Sequence, residues 1–332
     1  LVDGSPLSVN PFPYTGSAII SGSLATTGSI GFSYLTPAPN AWSSGGALIT
    51  GRQYLAGAGT QNATLAFGGG LSNVACTEEY NGSTWTAGGA LAYARCKLAG
   101  AGTQNAALAF GGNYYGAAAS YTEEYNGASW SAGGALTSAR WELAGAGTQN
   151  AGLAFGGYDN MPQNYTEEYN GSSWATGGNF PTLVKALAGA GTQNAALAFG
   201  GDYYGPTSAT DEYNGSSWSA GGALATTRYS LGGAGTQNVA LAFGGSNGSS
   251  ARYSCTEEYD GTSWSAGGAL IAGRWRLAGA GTQNAALAFG GGQSPSIVGC
   301  TEEYSVAPFQ PLKTFDYSST TGNTMIIPPT TD

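Results

Sequence analysis

The chain has 332 residues, 57 of them glycine, with 9% charged residues and no histidine, where ordinary soluble domains carry roughly 25% charge and about 7% glycine. Without histidine the commonest zinc and copper ligand and the usual acid–base group near neutral pH are gone, so no metal site, no cofactor and no enzymatic activity are expected. A net charge of −9, four cysteines and no long apolar run argue against nucleic acid, a disulfide framework and membrane insertion.

In chain order, residues 1–39 come first, with short apolar patches (17–24 and 27–32) separated by Gly-Ser. They are too short for a core and read as an N-terminal attachment arm. From 40 to 304 the chain repeats itself. Thr-Gln-Asn begins at Thr60, Thr103, Thr148, Thr192, Thr236 and Thr282, in steps of 43, 45, 44, 44 and 46 residues. Phe-Gly-Gly follows at Phe67, Phe110, Phe155, Phe199, Phe243 and Phe289, then an acid-acid-Tyr unit ending at Tyr80, Tyr125, Tyr169, Tyr213, Tyr259 and Tyr304. Five of these tyrosines are followed five residues on by Trp85, Trp130, Trp174, Trp218 and Trp264.

Each unit reads as four short strands. In the first unit these are 55–59, 63–67, 77–80 and a last one from Trp85 to Gly88-Gly89. Alternation puts Leu65 and Phe67 on one face, and Asn81-Gly82 reads as a type I′ hairpin turn. Four strands per unit, six times over, give an all-β chain folded as a six-bladed β-propeller. The Ala/Gly-rich first strand then belongs at the axis, where only small side chains fit. The final unit lacks its Asn-Gly turn and has Phe309 where tryptophan belongs, while an orphan Trp42 precedes the first unit. The segment around Trp42 is therefore expected to supply the outer strand of the last blade and close the ring.

An apolar strand ending in Gly-Gly, then a spaced Tyr and Trp, as in Phe67-Gly68-Gly69, Tyr80 and Trp85, resembles the kelch-repeat family over roughly residues 42–304. That resemblance implies a kelch-like propeller. The Ser-Gly-Ser and Thr-Gly-Ser patterns of the N-terminal arm are similar to segments of tailed-bacteriophage fibre proteins. Near-identical Ala/Gly-rich kelch-like units also resemble virion proteins of marine phages. Those likenesses imply a structural protein at the virion surface, as a fibre or capsid decoration.

Subtracting the stretch between each Phe-Gly-Gly and the next Thr-acid-acid (7, 9, 8, 8 and 10 residues in the first five units) from the repeat steps leaves 36 each time. All length variation thus sits in one loop, between the second and third strands. A fixed scaffold bearing variable loops on one face is how binding surfaces are built, although unselected surface loops also drift. These loops carry Tyr114, Tyr115, Tyr121, Tyr158, Tyr165, Tyr203, Tyr204 and Tyr253 among Ser, Gly and Asn, the composition of an antibody paratope. The loop entering each blade opens on the same face, and Trp141, Tyr229 and Trp275 there are expected to ring the channel mouth and to suit stacking on sugars.

Five arginines recur ten residues after each tryptophan, Arg52, Arg95, Arg140, Arg228 and Arg274, with Val184 in the fourth unit's place. Structural salt bridges are expected from them to Glu78, Glu123, Glu167, Asp211, Glu257 and Glu302 or to the adjacent acid. Paired carboxylates also serve glycosidases and calcium sites, but catalysis needs one asymmetric constellation of unlike residues in the channel mouth, for which Arg276, Glu142 and Asp202 are the non-repeating candidates. Cys76, Cys255 and Cys300 sit one blade apart at equivalent places, which predicts free, partly buried thiols. Residues 305–332, rich in Pro and Thr, read as a C-terminal arm. The composite expectation is a non-enzymatic, extracellular or virion-surface propeller. Its loops would contact a host glycan or another virion protein, and its arms would attach it to other virion proteins. A secreted bacterial lectin or adhesin, or a carbohydrate-active enzyme, is the alternative.

Overall fold

The structure is a computed structural model that describes residues 30–32, 35–36, 40–248, 251–293, 296–306, 310–311 and 315–317. Every regular element among them is a β-strand. Phe309 and the apolar patch at 17–24 lie outside the described residues.

Residues 37–308 form one unit, built of six antiparallel four-stranded blades. The first blade runs Ala56–Thr60, Ala63–Phe67, Thr77–Tyr80 and Trp85–Ala87, and the next four repeat it. The sixth holds Ala278–Thr282, Ala285–Phe289 and Thr301–Ser305, and takes its outer strand from Ala41–Gly45. Trp42 pairs with Tyr304 there as Trp85 pairs with Tyr80 in the first blade, so the orphan tryptophan closes the ring. The arms make a smaller unit, 1–36 with 309–332. In it Ile30–Phe32 pairs with Phe315–Tyr317, and Leu35–Thr36 with Gln310–Pro311.

The core is six wedges between successive blades rather than one centre. In one of them Leu48, Leu55, Ala66, Tyr80 and Trp85 meet Leu287 and Phe289 of the sixth blade. Glycine sets how closely the blades approach. A Cβ on Gly57, in the innermost strand of the first blade, would stand 2.4 Å from the Phe289 ring of the sixth. At the outer strand's end a Cβ on Gly46 would stand 2.0 Å from the carbonyl oxygen of Ser83.

Three polar contacts recur at each blade boundary. The tyrosine hydroxyl donates to the second acid of the preceding blade: Tyr125 to Glu79 (2.6 Å), Tyr169 to Glu124 (2.6 Å), Tyr213 to Glu168 (2.6 Å), Tyr259 to Glu212 (2.7 Å), Tyr304 to Glu258, and Tyr80 to Glu303 (2.5 Å) across the closure. Burial, and then the carboxylate acceptor, push the hydroxyls of Tyr80, Tyr125, Tyr169, Tyr213 and Tyr259 up to about 12. Each outer-strand tryptophan Nε1–H donates to a threonine Oγ1 of the preceding blade, as Trp85 does to Thr301 and Trp42 to Thr256, both at 2.9 Å. Each glutamine of Thr-Gln-Asn clamps two backbone carbonyls of the preceding blade, as Gln104 does those of Thr64 (3.1 Å) and Tyr80 (2.7 Å).

The Asn-Gly connection differs from the sequence expectation. The Asn81 N–H donates to the Thr84 carbonyl (3.2 Å), so the turn centres one residue later, on Gly82-Ser83, and only Gly82 has positive φ (90°), the φ pattern of a type II′ rather than a type I′ turn. Asn81 closes it through its side chain, its Oδ1 accepting from the N–H of Ser83 (3.0 Å) and Thr84 (2.9 Å). An Asx side chain held this way leaves Asn81 no need of the left-handed region.

Tyr169→Phe removes the hydrogen bond to the Glu124 carboxylate and a longer one accepted from the Gly134 N–H (3.3 Å), and nothing from the apolar wedge. Denaturant unfolding is expected to show a loss of about 1–3 kcal/mol, with the far-UV spectrum of the ring retained.

Candidate functional site

Strand alternation sends the two acids of each unit to opposite sides. The second acid serves the boundary tyrosine, and the first meets the arginine. Arg52 lies 3.2 Å from Glu78, Arg95 3.0 Å from Glu123 and Arg274 2.8 Å from Glu302, while Arg140 pairs with Glu167 and Arg228 with Glu257. All ten of these side chains are buried. Burial lowers the Arg95 guanidinium to about 10, against the opposing pull of Glu123, so it stays charged at neutral pH. The other carboxylate oxygen accepts a backbone N–H, from Ile49, Ala92, Thr137, Ala225 or Ile271.

In the fourth blade all three partners change together. Asp211 replaces glutamate, Val184 the arginine, and Pro181, which has no N–H, the backbone donor. Asp211 is only 7% exposed, and burial alone pushes its carboxyl up to about 6.

The loops entering the blades bridge to the variable loops, at Cys96–Asn113, Trp141–Tyr158, Lys185–Asp202, Tyr229–Ser246 and Trp275–Gly292, so both loop sets share one face. At its centre the residues one place further on, Tyr54, Lys97, Glu142, Ala186, Ser230 and Arg276, all have φ between 51° and 59°. Each donates its backbone N–H to the carbonyl of its predecessor, from Tyr54 to Arg276 (2.9 Å) and so round through Lys97, Glu142, Ala186, Ser230 and Arg276 at 2.7–2.8 Å. Six hydrogen bonds thus close a ring about the axis, and their geometry imposes the left-handed backbone. Six different side chains stand on it.

These residues line an axial cavity of about 80 Å³ together with the leucines that follow them. Lys97 Nζ pairs with Glu142 (2.9 Å) and lies over the rings of Tyr54 (4.9 Å) and Trp141 (5.1 Å). The Arg276 guanidinium lies 3.4 Å from the Trp275 ring centre and 4.3 Å from that of Tyr54. Burial raises the Tyr54 hydroxyl and lowers Arg276. Of the three charged residues weighed as a catalytic constellation, Arg276 and Glu142 line this cavity. Asp202 lies apart, 3.7 Å from Lys185 in a second hollow.

That second hollow, about 500 Å³, is lined by Tyr158, Met161, Lys185, Asp202, Tyr204 and Tyr229, among others. A third, about 560 Å³, lies between the first two variable loops beside Tyr54, Leu71, Lys97 and Tyr115. Trp141 stacks with Tyr158 (5.8 Å, 3°), and Tyr229 meets Trp275 edge-on at 6.0 Å. Tyr114 touches Tyr115 and Tyr121, and Tyr121 stacks on Tyr93. Tyr203 meets Tyr204, which is 86% exposed. Tyr165 is exposed and Tyr253 half-buried, and neither joins these ring groups among the described residues. All four cysteines are free thiols, with Cys76 and Cys300 exposed rather than partly buried.

Tyr54, Lys97 and Ser230 were not singled out in the sequence. The signal was there: they occupy a place where six otherwise repeated units carry six different residues. Compared with known proteins, the chain matches no family model and no curated protein.

Two outcomes test this face. The native fold binds Asp211's proton more tightly than the unfolded chain, so its contribution to stability is full below about pH 4 and lost as pH rises through about 6. Asp211→Asn is therefore expected to raise stability by about 1 kcal/mol at pH 7.5, a value discounted for residual solvent. The two proteins should converge near pH 4 in parallel thermal melts. Ala186→Gly relieves a left-handed alanine and should gain about 1 kcal/mol in denaturant unfolding.

Proposed function

We propose that this protein is a non-enzymatic, kelch-like binding propeller displayed on the surface of a phage virion. The loop face holds a host glycan, and the flanking arms attach the ring to other virion proteins. One observation carries the reading. The ten described non-glycine residues with positive φ all belong to the loop face: the six of the axial ring, and Asn73, Tyr115, Asn160 and Tyr204 at loop tips. Such backbone costs of the order of 1–3 kcal/mol per residue and collects where a surface is held for use. Tyr115 (71% exposed) and Tyr204 offer rigid faces beside two hollows, as sugar stacking requires.

A protein partner is the second reading. It is favoured by the exposed Leu71, Met161 and Ile297 in the same loops, apolar groups for which a polar sugar has little use. Tyr115→Ala/Tyr204→Ala is expected to abolish retention on a glycan array while leaving the melting temperature within about 1 °C, because both side chains are exposed. Retention by the double variant equal to that of the parent would refute the glycan reading.

A further inference from the structure

Ten basic residues stand in a chain of net charge −9. Five are neutralised inside the blades by Glu78, Glu123, Glu167, Glu257 and Glu302, and Lys313 lies outside the described residues. The other four, Lys97, Lys185, Arg252 and Arg276, all stand on the loop face. The opposite face, made of Thr-Gln-Asn and Asn-Gly-Ser turns, has no basic residue among the described ones.

Each of the four lies over an aromatic ring. Lys97 covers Tyr54 and Trp141, and Lys185 lies 4.7 Å from the centre of Tyr158. Arg252 and Arg276 approach the Trp275 ring centre to 3.9 and 3.4 Å. Two guanidinium carbons this near one centre lie on its opposite faces, so the indole is sandwiched between two positive charges.

Arg276 has no ion pair within 4 Å among the described residues. Its Nη1 donates one long hydrogen bond to Gln53 Oε1 (3.5 Å), and its Nε is buried without a partner. Glu142, the carboxylate sharing its cavity, is engaged by Lys97. Stacking between Trp275 and Tyr54 fixes the guanidinium plane, so its remaining donors are presented without further ordering. The cavity of about 80 Å³ holds a few waters' worth of volume, enough for a carboxylate or sulfate and too little for a sugar ring. A ring outside it would rest against Trp275 and Tyr229.

We infer that the axial mouth is a subsite for the carboxylate or sulfate of an acidic saccharide, with Arg276 as its charge anchor and Trp275 and Tyr54 as its walls. The inference rests on the glycan reading above and names the class of glycan. Lys97 and Lys185, each beside a flanking hollow, extend the same pairing of aromatic ring and cation to neighbouring sugars.

Calorimetric titration of the full chain tests it with oligogalacturonate and dextran sulfate as charged probes, and methyl-esterified oligogalacturonate and dextran as neutral ones. The better charged probe is expected to bind at least about ten-fold more tightly than its neutral counterpart and to weaken between about 50 and about 300 mM NaCl. Which charged probe wins identifies the anion. Arg276→Gln should lose about ten-fold or more for that probe, and Arg276→Lys, which keeps the charge without the planar fork, should lose less; thermal melts of both confirm folding. Equal binding of charged and neutral probes, or undiminished binding by Arg276→Gln, overturns the inference. A neutral saccharide bound alone and lost in Tyr115→Ala/Tyr204→Ala overturns it while leaving the loop-face reading intact. Binding of no saccharide at all overturns both.

Discussion

A tyrosine hydroxyl reaching the carboxylate of the preceding blade is the joint on which this ring depends. Every blade is at once donor and acceptor, because its tyrosine serves one neighbour while its second acid serves the other. A head-to-tail contact of this kind closes only if each step turns the chain by the same angle. The glycines beside the joint, with 2.0 Å between a Cβ at Gly46 and the carbonyl of Ser83, leave no slack to absorb a mismatch. Each unit therefore keeps a frame of 36 residues, and within it the residues that meet other blades recur almost without change. Length and sequence are free to vary only where the chain leaves the contact surface, in the loops of one face.

The five Arg–Glu pairs look like a second requirement of the fold, but the fourth blade is built without one. Val184, Pro181 and Asp211 replace arginine, backbone donor and glutamate together, and Val184 is buried. Removing one member would strand a buried charge, whereas removing the set leaves an apolar contact and one short acid. The pairs are thus replaceable within a blade. Their wider effect is electrostatic: they take up half of the chain's cations in its interior, and the remaining cations among the described residues all stand on the loop face.

Much of this was legible because the chain can be compared with itself. Strand number, blade number and closure through Trp42 follow from unit spacing and from the one tryptophan out of place. The boundary contacts were not. Gln61 looks like a turn residue, and nothing local shows that its amide reaches Ala286 and Tyr304 in another blade; its six-fold recurrence, stricter than a turn needs, was the available hint. The axial ring was hidden for a different reason. Tyr, Lys, Glu, Ala, Ser and Arg share no preference for left-handed backbone, so tertiary hydrogen bonds alone dictate it. Sequence reasoning therefore placed Trp141, Tyr229 and Trp275 near the mouth and passed over Tyr54 and Lys97, the residues beside them that line it.

The closing strand has a mechanical consequence. Ala41 and Ser305 lie directly opposite each other, so the chain enters and leaves the ring at adjacent residues. If both ends are held at one anchoring point, tension is borne where the chain enters, and no load crosses the other five blades. The ring hangs slack, and its loop face keeps its geometry under drag. Pulled apart from separate points, the same two residues form the first rung of a ladder that peels strand from strand, and the sixth blade fails before any other is stressed.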